Sequence, residues 1–276
     1  MRNAACRSLA IGFFDGVHLG HQQILAGVAK AITFKTHPLA VLDPKRRPQL
    51  LMTYPERERA IQACGVEEVL ALDFTPELAA MPAAEFADRY LRGFAVRCGA
   101  NWSFGKGGRD NAATLQALGW QAEVVPYAEY SGQIVSSTRI REAIGAGRLT
   151  DAAKMLGRPW RLTGKVMPGK GEGRKLGFPT VNLVPDSELA TPPAGVYECR
   201  YRGLKAICNY GVAPTFGERA WAQNVCEVHV LEAGEPCGSE AAVELLRFIR
   251  PERKFAGLSA LQAQIRKDID GILQSV

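Results

Sequence analysis

The spacing of apolar residues changes part-way along the chain. Up to about residue 157, short apolar runs alternate with segments whose apolar positions recur at helical spacing. Residues 8–14 form an apolar run stopped by Asp15-Gly16, and the strand signal returns at 31–34, 69–72 and 122–125. Between them the pattern predicts helices over 22–30, 53–65, 83–91, 137–144 and 151–156. Thr53-Tyr-Pro-Glu56 has the spacing of a capping box, and Gly65, Gly145 and Gly157 stand where helices end. Strands alternating with helices predict a parallel sheet covered on both faces, with ligands beyond the carboxyl ends of its strands.

After Gly157-Arg-Pro159 the period shortens. Segments 161–166, 196–201, 205–210, 226–231 and 242–248 read as short β-strands separated by Gly and Pro, the pattern of a small antiparallel barrel. From 259 to 276, Leu261, Ile265, Ile269, Ile272 and Leu273 share one helical face, so a closing helix is predicted to pack on the barrel. The expected domains are 1–157 and 158–276.

Composition adds little to this division. Hydrophobic residues make up 47% and charged residues 22%, which is ordinary for a soluble globular protein. The net charge of +6 raises the question of nucleic acid, but basic residues are spread along the chain and no nucleic-acid motif is present. Anionic small molecules explain the excess equally well. Seven cysteines, including Cys6 and Cys237, form no CxxC pair, which predicts reduced thiols rather than a disulfide framework or a zinc site. No apolar h-region precedes Asp15, and no apolar run approaches the ~20 residues that span a bilayer. A cytoplasmic protein without a membrane or nucleic-acid partner is expected; the oligomeric state is not legible.

The densest chemistry lies in Gly164-Lys-Val-Met-Pro-Gly169-Lys170-Gly-Glu-Gly173-Arg174-Lys-Leu-Gly177-Phe-Pro-Thr180-Val-Asn182-Leu183. Glycines let backbone approach a ligand, and successive N–H groups can form a concave anion site to which Lys170 and Arg174 add cationic charge. Thr180 and Asn182 are i, i+2, so an extended segment points both to one face. Two neutral oxygens side by side suit Mg²⁺, which usually keeps phosphate oxygens and water as its other ligands. The stretch reads as a nucleotide–magnesium site, against the plainer possibility of a charged surface hairpin. It is no Walker loop, because the GxxxxGK[ST] spacing is absent and Pro179 opposes a helix there.

This stretch resembles the signature of riboflavin kinases. A second block, Gly12-Phe-Phe14-Asp15-Gly16-Val-His18-Leu-Gly20-His21-Gln22, resembles the HxGH signature of bacterial FAD synthetases. The two occur in this order in the bifunctional riboflavin kinase/FAD synthetase family, and the resemblance covers nearly the whole chain. It implies a nucleotidyltransferase-type Rossmann-like domain followed by the barrel. The implied activities are ATP-dependent phosphorylation of riboflavin to FMN and adenylylation of FMN to FAD with release of pyrophosphate.

In the first domain, two imidazoles at i, i+3 beside a helix N-terminus can flank a bound phosphate, with Gly20 keeping the approach open. The alternative is a pair of surface or half-buried histidines. Ser136-Ser137-Thr138-Arg139-Ile-Arg141 resembles the family's phosphate-binding SSTxIR element, although Ser137 or Thr138 would equally serve as a helix cap. Gly99-Ala-Asn101-Trp102-Ser-Phe104-Gly105 resembles a further family element, in which Asn101 would meet nucleotide or metal while Trp102 and Phe104 belong to the core. Two departures stand out. Lys35-Thr36 occupy the place where the family often carries Asp-Pro, and the helix after His21 looks shortened. Asp15 is one possible replacement for the lost carboxylate.

In the second domain, Glu227-Val-His229 resembles the strand whose glutamate is the kinase's base, with His229 structural. Asn209, within a segment that resembles N-x-G-x-x-P-T ending at Thr215, and Arg250 are candidates for flavin contact. A kinase with a degenerate adenylyltransferase domain, or a non-catalytic nucleotide- or RNA-binding protein, are the competing possibilities.

Overall fold

The first apolar run becomes β1 (Arg7–Ile11), whose alternation sends Leu9 and Ile11 to one side of a sheet and Ala10 to the other. The computed structural model describes residues 7–168, 173, 177–214, 222–232 and 240–274. Gly169, Lys170, Arg174, Thr215, Cys6 and Cys237 lie outside the described residues. The chain divides into two compact units, Met1–Ser137 and Thr138–Val276.

In the first unit, β2 (Lys30–Phe34), β3 (Glu68–Leu72), β4 (Phe94–Gly99) and β5 (Ala122–Val125) join β1 in a parallel sheet of order β3-β2-β1-β4-β5. A small hairpin, β6 (Glu129–Tyr130) with β7 (Gln133–Ile134), follows β5. The helices are α1 (Leu19–Leu25), α2 (Leu39–Leu42), α3 (Tyr54–Gln62), α4 (Pro76–Ala80), α5 (Ala83–Tyr90) and α6 (Ala112–Ala117). Ile24 and Leu25 of α1 and Ile61 of α3 pack with Ala10 and Ala31 on one side of the sheet. Phe86 of α5 and Leu115 of α6 pack with Leu9, Ile32 and Val96 on the other.

The capping box forms as predicted: Thr53 N donates to Glu56 Oε2 at 3.3 Å. Two expectations change. The helix predicted over 22–30 runs instead from Leu19 to Leu25, because His18 caps it earlier and Gly27 at φ +71° turns the chain toward β2. The pattern also missed β4, because Arg97 interrupts its apolar run; that side chain pairs with Glu123 of β5 at 3.1 Å.

The second unit begins at Thr138, in the first turn of α7 (Ser137–Gly145), and continues into α8 (Leu149–Leu156). Leu149, Ala152 and Met155 are buried where α8 packs on the barrel. That packing places the helices with the second compact unit, so the division falls ahead of residue 157. The barrel strands are β8 (Trp160–Met167), β9 (Val181–Pro185), β10 (Gly195–Tyr201), β11 (Leu204–Pro214), β12 (Ala222–Val230) and β13 (Glu240–Arg250). They close antiparallel in the order β10-β11-β12-β9-β8-β13.

Alternation puts Cys226 and Val228 inside the barrel and leaves Glu227 outside. Cys199, Cys208 and Cys226 are buried free thiols of the interior. The closing helix, α9 (Leu258–Leu273), sets Ile269 and Ile272 against Val196 and Ile207. Leu273, expected on that face, is 52% exposed, because the helix ends there beyond the edge of the contact. Among the described residues, no helix is long and apolar enough to cross a membrane.

Candidate active sites

The β1–α1 loop leaves the sheet beside the crevice between β1 and β4, where the strand order reverses and α/β sheets bind ligands. It is held in a strained shape. Phe14, Gly16 and Val17 have φ of 57°, 82° and 40°. Left-handed backbone in a bulky or β-branched residue costs roughly 1–3 kcal/mol. Burial of Phe14 and Val17 in the core offsets it.

Polar bonds complete the clamp. Thr33 Oγ1 donates to Phe13 O at 3.1 Å, Gln22 Nε2 to Val17 O at 2.9 Å, and Ser137 Oγ to Asp15 O at 2.9 Å. The Asp15 carboxylate is buried and accepts the Leu51 N–H at 2.9 Å. That bond joins the loop to the chain before α3. Arg57 is fully buried beneath the same loop, its guanidinium 3.9 Å from the centre of the Phe13 ring and its Nη2 on Phe34 O at 2.5 Å. Burial lowers its pKa to about 10, so it stays cationic at neutral pH.

His18 and His21 come together as expected, but in different roles. His18 is the N-cap of α1, its Nδ1 accepting the His21 N–H at 3.4 Å, while His21 sits within the helix. Their rings stack with centroids 3.6 Å apart. A Cβ on Gly20 would lie 3.4 Å from the His18 ring, so the glycine leaves that face uncovered. His21 Nδ1 is buried without a hydrogen-bond partner. Burial, and secondarily the neighbouring His18, push the His21 pKa well below the usual imidazole range.

A depressed histidine pKa makes the unfolded chain bind more protons in acid, so stability is present above the unfolded value of ~6.5 and is lost as pH falls through it. Thermal melting between neutral pH and pH ~5 should therefore show a fall in midpoint that is smaller in His21→Asn; equal slopes would contradict it.

Asn101 follows β4, and its Oδ1 lies, with Ile24 of α1, 3.3 Å from where a Cβ on Gly99 would be. This brings Asn101 to the α1 side of the crevice. Trp102 and Phe104 stack at 4.6 Å in the core, as their apolar character predicts. Lys35 forms an ion pair with Asp73 at 3.1 Å, and both are exposed. The charge that departs from the family pattern is thus met by a neighbour at the end of β3. Thr36 is exposed, and Ser136 immediately precedes α7. Thr138 and Arg141 lie on α7 within the second unit.

The second site is built on the outer face of the barrel. Glu227 of β12 is in register with Asn182 of β9 on one side and Asn209 of β11 on the other. Paired residues of adjacent strands project from the same face with Cβ atoms ~5 Å apart. Glu227 and Asn209 open into a cavity of about 720 Å³, which Thr180, Phe255, Leu261 and Ile265 also line. That volume suits a small organic ligand.

Gly173 and Phe178, which precede β9, also line this cavity. Phe178 N donates to Gly173 O at 2.8 Å, and Gly177 turns at φ +85°. A Cβ on Gly173 would approach Phe178 O to 2.4 Å and Thr180 Oγ1 to 3.2 Å, so only glycine lets this turn close and leaves the hydroxyl uncovered. His229, expected to be structural, bonds Pro179 O through Nδ1 at 2.8 Å and meets the Phe178 ring edge-on at 5.4 Å. It thereby anchors the Phe-Pro-Thr turn to β12.

Arg250 lines the cavity, but its Nε and Nη2 donate to Asp268 Oδ2 at 2.9 and 2.8 Å, tying β13 to α9. Asn209 donates to Glu252. Asp268, which Gln264 also meets, and Glu252 were missed in the sequence. A signal for Asp268 was present: it lies three residues after Ile265, an acid set on the apolar face of its helix.

A parallel sheet with a histidine-bearing loop at its switch point, joined to a barrel carrying a carboxylate beside a ligand-sized cavity, defines a two-unit nucleotide-dependent transferase. The FAD synthetase family matches residues 2–139, and the riboflavin kinase family matches residues 156–276. The bifunctional riboflavin kinase/FMN adenylyltransferase of Bacillus subtilis is 33% identical over 94% of this chain and 89% of its own length. Its counterpart in Escherichia coli strain K12 is 32% identical over 94% of this chain and 90% of its own length. A crystal structure named a macrolide-efflux protein from Streptococcus pneumoniae superposes with a TM-score of 0.86 at 28% identity, covering 99% of this chain and 96% of that one. The chain belongs to the bifunctional riboflavin kinase/FMN adenylyltransferase family.

Proposed function

We propose that the second unit phosphorylates riboflavin with ATP, using Glu227 as base, and that the first adenylylates the resulting FMN, using His18 and His21. The observation that carries the kinase assignment is the row Asn182, Glu227, Asn209 across three adjacent strands. Phosphoryl transfer asks the protein mainly for position and charge neutralisation. Glu227 accepts the proton of the ribityl 5′-hydroxyl as that oxygen attacks the γ-phosphate in line. Gly173 and Gly177 shape the turn over the phosphates, and His229 holds it in place.

Thr180 and Asn182 fit a hard cation, since both offer neutral oxygens from one extended segment and Gly173 leaves the threonine hydroxyl uncovered. They would hold Mg²⁺, which would neutralise phosphate charge there. Gly169, Lys170 and Arg174 are proposed to add phosphate contacts.

In the first unit, the FMN phosphate is already an anion and needs no strong base to attack the α-phosphate of ATP as pyrophosphate departs. The His18–His21 pair and Asn101 meet the developing charge, with Ser136 and Ser137 serving the triphosphate. Phe14, Asp15, Gly16 and Gly20 keep the loop in shape. The functional division proposed is 1–157 and 158–276, in a cytoplasmic enzyme whose partners are riboflavin, FMN and ATP.

Incubation with riboflavin, ATP and Mg²⁺ followed by chromatography should yield FMN first and then FAD. FMN without FAD would leave the kinase half and remove the adenylyltransferase half; neither product would remove both.

A further inference from the structure

We propose that Glu252 is a positioning residue of the kinase site, fixing the side-chain amide of Asn209 beside Glu227; this rests on Glu227 being the base. Asn209 Nδ2 donates to Glu252 Oε1 at 2.8 Å. Asn209 and Glu227 are register partners, and both line the cavity together with Glu252. The carboxylate has a place made for it. Gly211 lies two residues beyond Asn209 on β11, on the same face. A Cβ there would sit 2.3 Å from Glu252 Oε1, and its three nearest atoms would all belong to the Glu252 carboxyl group. Gly211 lies within an extended strand, so its backbone would accept alanine. An added Cβ at position 211 would therefore push the Glu252 carboxyl group out of this position.

The consequence is chemical. An asparagine amide beside a catalytic carboxylate can donate to it, and a donor bonded to the charged form makes that carboxylate a weaker proton acceptor. Glu252 draws the Asn209 donor to itself and holds the amide in one orientation. The sequence hides this role, because Glu252 stands in the run Arg250-Pro-Glu-Arg-Lys254, where the basic residues dominate.

The test uses the full chain and steady-state riboflavin phosphorylation. Gly211→Ala and Glu252→Ala should each lower kcat about tenfold, the weight of a hydrogen bond to a charged group, with little change in the KM for ATP. The double variant should be no worse than either single one, because both remove the same contact. Glu252→Gln keeps an oxygen to accept from Asn209 and should recover most of the rate. Multiplying effects, a wild-type kcat in Gly211→Ala, or Glu252→Gln as slow as Glu252→Ala would overturn the proposal. Glu227→Gln is measured alongside. If it retains full activity, the base assignment fails; if it is inactive while Gly211→Ala and Glu252→Ala run normally, only the positioning role fails.

Discussion

Glu227→Gln should slow riboflavin phosphorylation by roughly a thousandfold, within the range that a general base contributes. Glutamine has nearly the same shape and can still accept a hydrogen bond, but it cannot take the hydroxyl proton. Glu227 is exposed on its strand, so the substitution should change stability by no more than about 0.5 kcal/mol. Asn182 and Asn209 remain on either side, and the Phe-Pro-Thr turn stays tied to His229. The KM for ATP should therefore change little while kcat collapses, which separates a lost proton acceptor from lost binding. Initial rates of FMN formation measure this, and FAD formation from supplied FMN in the same preparation reports on the first unit. A kcat within a few-fold of the native chain would remove Glu227 from the mechanism.

The parts of the fold legible in the sequence are those whose causes are local. Short apolar runs gave β2 and β3 nearly residue for residue, and the Thr53–Glu56 capping box announced α3. The unread parts depend on distant partners. β4 is a strand because it pairs with β1 and β5, where Arg97 meets Glu123 from 26 residues away. β9 is short and carries Asn182 and Pro185, so only pairing with β8 and β12 makes it a strand. The site divides in the same way. His18, His21, Thr180 and Glu227 stand in compact sequence motifs, whereas Glu252 meets Asn209 across 43 residues and Asp268 meets Arg250 across 18. Arg57 shows the limit most plainly. A charged residue on a solvated-looking helix became fully buried, because the Phe34 carbonyl and the Phe13 ring were there to receive it.

The same contrast between local and distant causes bears on whether the first unit is active. Lys35 looked like a reversed charge at the site, but its ammonium is matched by Asp73. The shortened helix after His21 still begins at a formed cap and buries Ile24 and Leu25. The β1–α1 loop is held by bonds of Asp15, Thr33 and Gln22 with both departures in place.

His18→Asn should then lower FAD formation by a hundredfold or more, roughly the effect of losing one preorganised group at a developing charge. Asparagine is the informative choice because His18 has two tasks. Its Nδ1 caps α1 by accepting the His21 N–H, and alanine would remove that cap at a cost of about 1 kcal/mol. Asparagine is itself a favoured cap, so it keeps the helix start while removing the imidazole stacked on His21. The melting midpoint should stay close to that of the native chain, riboflavin phosphorylation should continue, and FMN should accumulate in place of FAD. If His18→Asn made FAD at the native rate while His18→Ala lost both midpoint and activity, His18 would be a helix cap alone, and charge stabilisation would have to come from His21, Asn101 and the loop backbone.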